Sequence, residues 1–320
     1  MSAEPAGGDA ACSPAALAAG EQLVGSAPTA RAWVALEQDG PWGAKAFTAS
    51  HLDPVLGREL EAAAAAVDVR PSLIRRPGRH ADPPGHDDAP RHVLVAHTDP
   101  AGTWLLEGSV ESPERLRELN WTALGAGDRE AVRRSLPSLT PSEQPHLLVC
   151  TNGRRDVCCA VQGRPVALGV AGRRPDEVWE VTHTSGHRFA PTAVLLPAGT
   201  LHGWLDVDAA DRLLDAAARG ETVLEGSRGR STWSGPGQVA ELAVRAEAGE
   251  LGLDALTVAE VVPTAEHAWR AVVAHRDGRA WQVEVISSAD GTTRAESCGK
   301  DPVPMRRWAW GPPSALERLR

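Results

Sequence analysis

The chain has 320 residues, with 33 Lys plus Arg against 42 Asp plus Glu and a formal net charge of −9. That balance lacks the basic footprint of a general nucleic-acid or anionic-membrane binder, while 42% hydrophobic and 23% charged residues support a folded core rather than disorder. There are 11 Trp, 2 Phe and no Tyr, which excludes tyrosyl chemistry, and 5 Cys, three of them within ten positions.

An odd, clustered set of cysteines does not read as a secreted disulfide framework. The first twenty residues carry no positive n-region and no long apolar core. Cys12 follows two alanines in a lipoprotein-like AAC, but without the apolar run that would precede it. No stretch of 18 apolar residues offers a membrane span. The expectation is a reduced, cytoplasmic protein with no nucleic-acid and no membrane partner, whose cysteines bind metal or react.

In chain order, a strand over Trp33–Glu37 leads through a turn at Gly40, Pro41, Trp42 and Gly43 to a Leu/Ala-rich helix over His51–Ala66. A strand over Val69–Ile74 follows, then a Pro/Gly/His/Asp-rich loop from Pro77 to Pro90. Strands over Val93–Ala96 and Thr103–Leu106 precede a helix over Pro113–Leu119. The middle third repeats this order. Leu147–Val149 is a strand ending at Cys150, a helix begins near Asp156, and Val178–Val181 is a second strand. Thr192–Leu196 and Leu201–Leu205 form a hairpin, and Asp208–Ala218 is an amphipathic helix. Ala89-Pro90 stands before Val93 to Val95 as Ala190-Pro191 stands before Val194 to Leu196. A β-α-β, β-β-α order with Pro entering the third strand is the thioredoxin-type arrangement, in which that Pro is commonly cis. Two thioredoxin-like units are therefore expected, the first without the second's cysteines. Further on, Gly226–Gly237 reads as a loop containing Arg228-Gly229-Arg230-Ser231, either an anion site or an ordinary loop. Gln238–Ala248 reads as a helix. Ala268–Ala274 and Trp281–Ile286 read as a hairpin closed at Asp277-Gly278, and the tail from Pro302 as a surface segment.

Chemistry concentrates in CTNGRRDVCC, which holds Cys150, Cys158 and Cys159, and in HTSGHRF, which holds His183 and His187. Cys150 ends a strand, Cys158 and Cys159 sit in the first turn of the next helix, and both histidines lie on the loop entering the Pro191 strand. In a thioredoxin-like unit these loops are neighbours, so two thiolates and two imidazoles converge on a four-ligand site for an iron–sulfur cluster or zinc. Each residue alone also fits a packing role; the constellation favours ligation.

VCTNGRRDVCCAVQGRP, VWEVTHTSGHRFAPTAVLLPAGTLHGWLD and SRGRSTWSGPGQVAE resemble the sucrase/ferredoxin-like family. CS at Cys12, WVALEQDGPWG, LIRRPG and ESCGKDP do so more weakly. The resemblance implies an α/β (mixed α+β) fold: a degenerate thioredoxin-like unit over 1–140, a thioredoxin-like ferredoxin domain over 141–225, and a β-rich region over 226–320. It implies a [2Fe–2S] electron-transfer protein, a redox carrier rather than a stand-alone enzyme. The family's Cys-x8-Cys and His-x3-His ligands fall on Cys150, Cys159, His183 and His187, with Cys158 an alternative to Cys159. An unidentified redox protein would be the partner. Imidazoles in place of two thiolates raise the potential, and their free nitrogens can couple proton to electron transfer. Two other readings stand beside this one. A zinc-binding structural or interaction module would use the same four residues. A thiol oxidoreductase on Cys158 and Cys159 is disfavoured because adjacent cysteines form strained disulfides and no Cys-x-x-Cys is present. Arg154, Arg155 and Arg188 flank the ligands, where they stabilise a reduced cluster, dock an acidic donor, or are solvated or paired with Asp156. Cys298 approaches the cluster, acts as a redox thiol, or is structural. No carboxylate-pair motif supports glycoside hydrolysis, and no Walker loop or dinucleotide fingerprint is present.

Overall fold

The computed structural model describes residues 11–78 and 89–316; most of the loop expected between Pro77 and Pro90 lies outside the described residues. The chain begins with helix α1 (Cys12–Ala18) and strand β1 (Ala32–Glu37), followed by α2 (Pro54–Ala65), β2 (Val69–Arg75), β3 (Arg91–His97) and β4 (Trp104–Val110). The helix expected at Pro113–Leu119 is a 3-10 turn over Pro113–Glu118. It is followed by α3 (Trp121–Ala126), α4 (Arg129–Ser135) and β5 (Leu139–Ser142), for which the sequence pattern offered no expectation. The order then recurs with β6 (His146–Cys150), α5 (Val157–Ala171), β7 (Val178–Val181), β8 (Ala193–Leu196), β9 (Thr200–His202), α6 (Val207–Ala218) and β10 (Ser227–Arg230).

These ten strands make one sheet in the order β10-β9-β8-β6-β7-β2-β1-β3-β4-β5. In the first half β1 pairs parallel with β2 and antiparallel with β3, and β3 pairs antiparallel with β4. In the second half β6, β7, β8 and β9 repeat the same pairings. The halves meet where β2 runs antiparallel to β7, as a pseudo-twofold axis through that seam requires. The mixed α/β class is therefore as expected, and both halves share one connectivity.

Side-chain alternation along a strand sends successive residues to opposite faces, and it separates the cores. Ala32, Val34 and Leu36 of β1 pack into a core covered by α2 and α3, whereas Trp33 and Ala35 face a second core shared by both halves. On β6, Leu147 and Val149 face α5 and α6, while Leu148 and Cys150 join the shared core. Trp33, Trp42, Trp104, Trp179 and Trp281 are buried, in keeping with a chain that draws its aromatic bulk from Trp; Trp310 is exposed.

One expectation for the last third is corrected. Residues 227–230 are a strand rather than a loop: β10 pairs with β9, and Arg228 and Arg230 are buried. Arg230 donates to Thr98 O, Leu253 O and Asp254 Oδ1 at 2.8–2.9 Å, which satisfies a charge that a sequence pattern assigns to the surface. The tail after Pro302 lies along the surface, mostly exposed, as part of a β-rich region. Helix α7 (Gly235–Ala248) leads to β11 (Leu256–Ala265), β12 (Ala268–His275), β13 (Ala280–Arg294), β14 (Val303–Trp310) and β15 (Ser314–Ala315), and β14 and β15 both pair with β13. The Asp277-Gly278 hairpin is present between β12 and β13. Helix α7 packs against this second sheet and against β10.

The seam is held by a buried ion pair. Arg75 Nε and Nη2 donate to Glu180 Oε2 at 2.8 and 2.7 Å, and Thr151 Oγ1 donates to the same oxygen at 2.8 Å. Both charged side chains are almost wholly buried. Removing one member strands the other charge away from water. Arg75→Met is expected to lower unfolding free energy by about 3–5 kcal/mol, and combining it with Glu180→Leu recovers most of that loss. Urea unfolding of parent, single and double variants checks this; a single variant as stable as the parent contradicts it.

Candidate metal centre

The site forms where β6 ends, α5 begins and the β7–β8 connection returns. Cys150 is the last residue of β6, its amide donating to Thr192 O at 2.8 Å. Helix α5 crosses directly over this point. A Cβ at Gly163 would stand 2.2 Å from Cys150 O, so only glycine permits so close an approach. Asp156 caps α5 by accepting from Cys158 N at 2.9 Å, which fixes the first turn and the two cysteines it carries. The β7–β8 connection turns through left-handed Ser185 and Gly186 (φ 62° and 70°). That turn brings the rings of His183 and His187 into a stack, with centroids 4.9 Å apart.

The turn lets Cys159 Sγ approach His187 Nδ1 to 3.3 Å. Cys150 Sγ lies 4.0 Å from Thr182 O, next to His183. Cys150 and Cys159 share a hydrogen bond that pulls the Cys150 thiol below its usual range and, together with burial, pushes Cys159 up. Burial, reinforced by Arg70 and Arg155, depresses His183 to about 2. Burial likewise lowers His187, against the opposing pull of Asp156. Both imidazoles are therefore neutral at physiological pH, the form that binds metal. Asp156, Cys159 and His187 present ligand atoms within 4.8 Å of one another, a group able to hold a metal ion.

The surrounding charge is positive. Arg228 is fully buried and donates only to neutral acceptors: Ser26 Oγ at 3.1 Å, Ser26 O at 2.5 Å and Ser185 O at 2.9 Å. Arg70 donates to Ser185 Oγ at 3.0 Å. Among the described residues neither guanidinium has a carboxylate at ion-pair distance. Arg188, expected to be free for a partner or paired with Asp156, is instead bound to Glu21 and Glu296. Arg155 reaches Ala44 O at 3.2 Å. Two grooves reach the histidines. One of about 510 Å³ is lined by Lys45, Arg70, Arg155 and His183; another of about 650 Å³ is lined by His183, His187, Ser297 and Lys300.

The structure thus sets Cys159 beside His187 and Cys150 and stacks His183 on His187, while Cys150 and His183 stand outside the Asp156–Cys159–His187 group and Cys158 turns away. Cys158 Sγ lies 3.4 Å from Cys298 Sγ, which in turn lies 3.5 Å from Cys12 Sγ. All five cysteines are free thiols. Asp156 was legible only as the start of a helix. Its contacts with Ser297 and Cys298, more than 140 positions away, leave no trace in local sequence.

The Sucrase/ferredoxin-like family model matches residues 23–229, nearly two thirds of the chain. No curated protein and no solved structure matches it.

Burial by itself raises the Asp156 carboxyl, but donation from Cys298 N, Ser297 Oγ and Cys158 N and the nearby His187 hold it below the usual Asp range. Its stabilisation is then complete above the ordinary Asp value of about 4 and is lost as pH falls through the lower folded value. Asp156→Ala removes a helix cap and charge-assisted hydrogen bonds, at a combined cost of about 2–4 kcal/mol; Asp156→Asn, which keeps an acceptor, costs less. Denaturant unfolding at pH 7 and again below pH 4 checks this. The parent's advantage over Asp156→Asn shrinks in acid; an advantage independent of pH contradicts the assignment.

Proposed function

The chain belongs to the sucrase/ferredoxin-like family, and on that premise we propose that it is an electron-transfer protein holding one [2Fe–2S] cluster on Cys150, Cys159, His183 and His187. The observation that carries this reading is the convergence of two thiols and two neutral imidazoles at one end of β6, with Cys159 Sγ 3.3 Å from His187 Nδ1. The strand order of each half supports reading 1–140 and 141–225 as thioredoxin-like units, with the cluster only in the second.

Such a cluster supplies reversible one-electron exchange, at about −150 to +300 mV with two imidazole ligands against about −400 mV for plant-type all-thiolate centres. The chain's own residues set the environment. Gly163 and the Asp156 cap hold α5 so that Cys159 stays beside Cys150. Arg228 and Arg70, without carboxylate partners, favour added negative charge between them, which stabilises the reduced state. His183 and His187 border solvent-filled grooves, so a ring nitrogen not engaged with metal exchanges protons with water. The groove edged by Lys45, Arg70 and Arg155 suits an acidic redox protein as partner. Five unbridged thiols suit a reducing, cytoplasmic setting, and no helix among the described residues is long and apolar enough to cross a membrane.

A zinc-binding module on the same residues is the second reading, favoured by the tight Asp156–Cys159–His187 group. Colour separates the two. Protein purified without air is expected to be red-brown, to bleach with dithionite and to contain about two irons per chain; a colourless, zinc-loaded protein refutes the cluster. His183→Cys is expected to retain the cluster and lower its potential by on the order of 100 mV or more, as read by redox titration, and an unchanged potential refutes imidazole ligation. Cys159→Ser is expected to lose the visible absorption while Cys158→Ser keeps it; the reverse pattern reassigns the second thiolate.

A further inference from the structure

We propose that Cys12, Cys158 and Cys298, with Asp156, form a second and closed metal site that takes zinc(II). Ligand atoms of these four residues all lie within 4.8 Å of one another. Cys298 Sγ stands 3.4 Å from Cys158 Sγ and 3.5 Å from Cys12 Sγ, and Cys12 Sγ stands 3.6 Å from Asp156 Oδ2 and 3.8 Å from Oδ1. Tetrahedral zinc with Zn–S of about 2.3 Å and Zn–O of about 2.0 Å separates its sulfurs by about 3.8 Å and sulfur from oxygen by about 3.5 Å. The Cys298–Cys158, Cys298–Cys12 and Cys12–Asp156 separations are therefore within about 0.4 Å of the spacing a zinc ion sets.

A disulfide accounts for less of this arrangement. Cys298 is almost equidistant from two thiols, at separations well beyond a bonded S–S length of about 2.05 Å, and either bridge would leave a third buried sulfur unused. Cys12 and Cys158 are each only 2% exposed and Cys298, half-buried, covers them, as suits a structural site. Asp156 Oδ1 accepts from one amide, Cys158 N, and keeps a lone pair for the metal. Zinc entry forms three Zn–S bonds and one Zn–O bond and releases the three thiol protons to solvent, with no change of oxidation state. The resulting negative site sits at the N-terminus of α5, where the helix dipole and the amides of Cys158 and Cys298 offset its charge.

The site is distinct from the cluster ligands. Cys158 and Cys159 are consecutive on α5, so their side chains diverge by roughly 100° around the helix: Cys159 meets Cys150 and His187, and Cys158 meets Cys298. The metal would reinforce the hydrogen bonds that join three segments, α1, α5 and the β13–β14 connection. Its role is thus to hold the N-terminal helix and the second sheet against the electron-transfer half.

The test is elemental analysis of the full-length protein produced with both iron and zinc supplied. One zinc per chain is expected in the parent, falling about tenfold or more in Cys12→Ser and in Cys298→Ser while iron content and visible absorption stay at the parent's level. A zinc-free parent, or zinc undiminished in both variants, overturns the proposal. Because either variant can misfold, the parent is also alkylated natively with and without a zinc chelator, and the modified cysteines are mapped by mass spectrometry. Chelation is expected to open Cys12, Cys158 and Cys298 together; identical labelling, or a Cys158–Cys298 disulfide, overturns the site. Iron and zinc report separately, so zinc that Cys12→Ser and Cys298→Ser remove from iron-free protein sustains this inference while refuting the cluster, and iron without zinc does the opposite.

Discussion

One carboxylate organises the chemistry of this molecule. Asp156 caps α5 through Cys158 N, accepts from Ser297 Oγ and Cys298 N at 2.7 and 2.8 Å, and lies beside Cys12. It therefore ties the first turn of a helix in the middle of the chain to a loop of the second sheet and to the N-terminal helix. A buried carboxylate is costly unless its lone pairs are used, and here one donor from its own helix and two from a segment more than 140 positions away use them. Without that anchor, the direction of Cys158 and Cys159 from the helix would be set by α5 alone.

The rest of the site follows from backbone constraints that side-chain chemistry then exploits. Period-two alternation on β6 sends Cys150 into the core shared by the two halves. Close approach at Gly163 lays α5 across the strand end, and consecutive left-handed residues at 185 and 186 stack the histidines. Arg228 occupies the concave side of that turn; a Cβ at Gly186 would come 2.5 Å from its Nη2. A buried guanidinium whose partners are all neutral carries its charge into the site and favours negative charge beside it.

Much of this was legible in the sequence, and the failures have physical causes. The apolar runs of β1, β6, β7 and β8, the helix after Asp156 and the repeated Pro before a third strand all carry local signals, so the doubled β-α-β order could be read. The proximity of Cys150, Cys159, His183 and His187 followed from that topology. Strand β10 was missed because Ser227-Arg228-Gly229-Arg230 has the polarity of a loop, and only tertiary acceptors, carbonyls and the Asp254 carboxylate among them, make its arginines fit for burial. Helices α3 and α4 are six and seven residues long and are fixed by Asn120 and Asp128 caps rather than by periodicity. The Cys12–Cys158–Cys298 group spans 286 positions, and no local pattern announces contacts of that range.

The central claim is that two imidazoles and two thiolates share one two-iron cluster at the end of β6. Iron-edge X-ray absorption of protein purified without air tests it most directly, because it counts the atoms bound to iron. The account predicts about three sulfur and one imidazole nitrogen neighbour per iron on average, with two bridging sulfides on each iron. An all-sulfur shell around iron would contradict it.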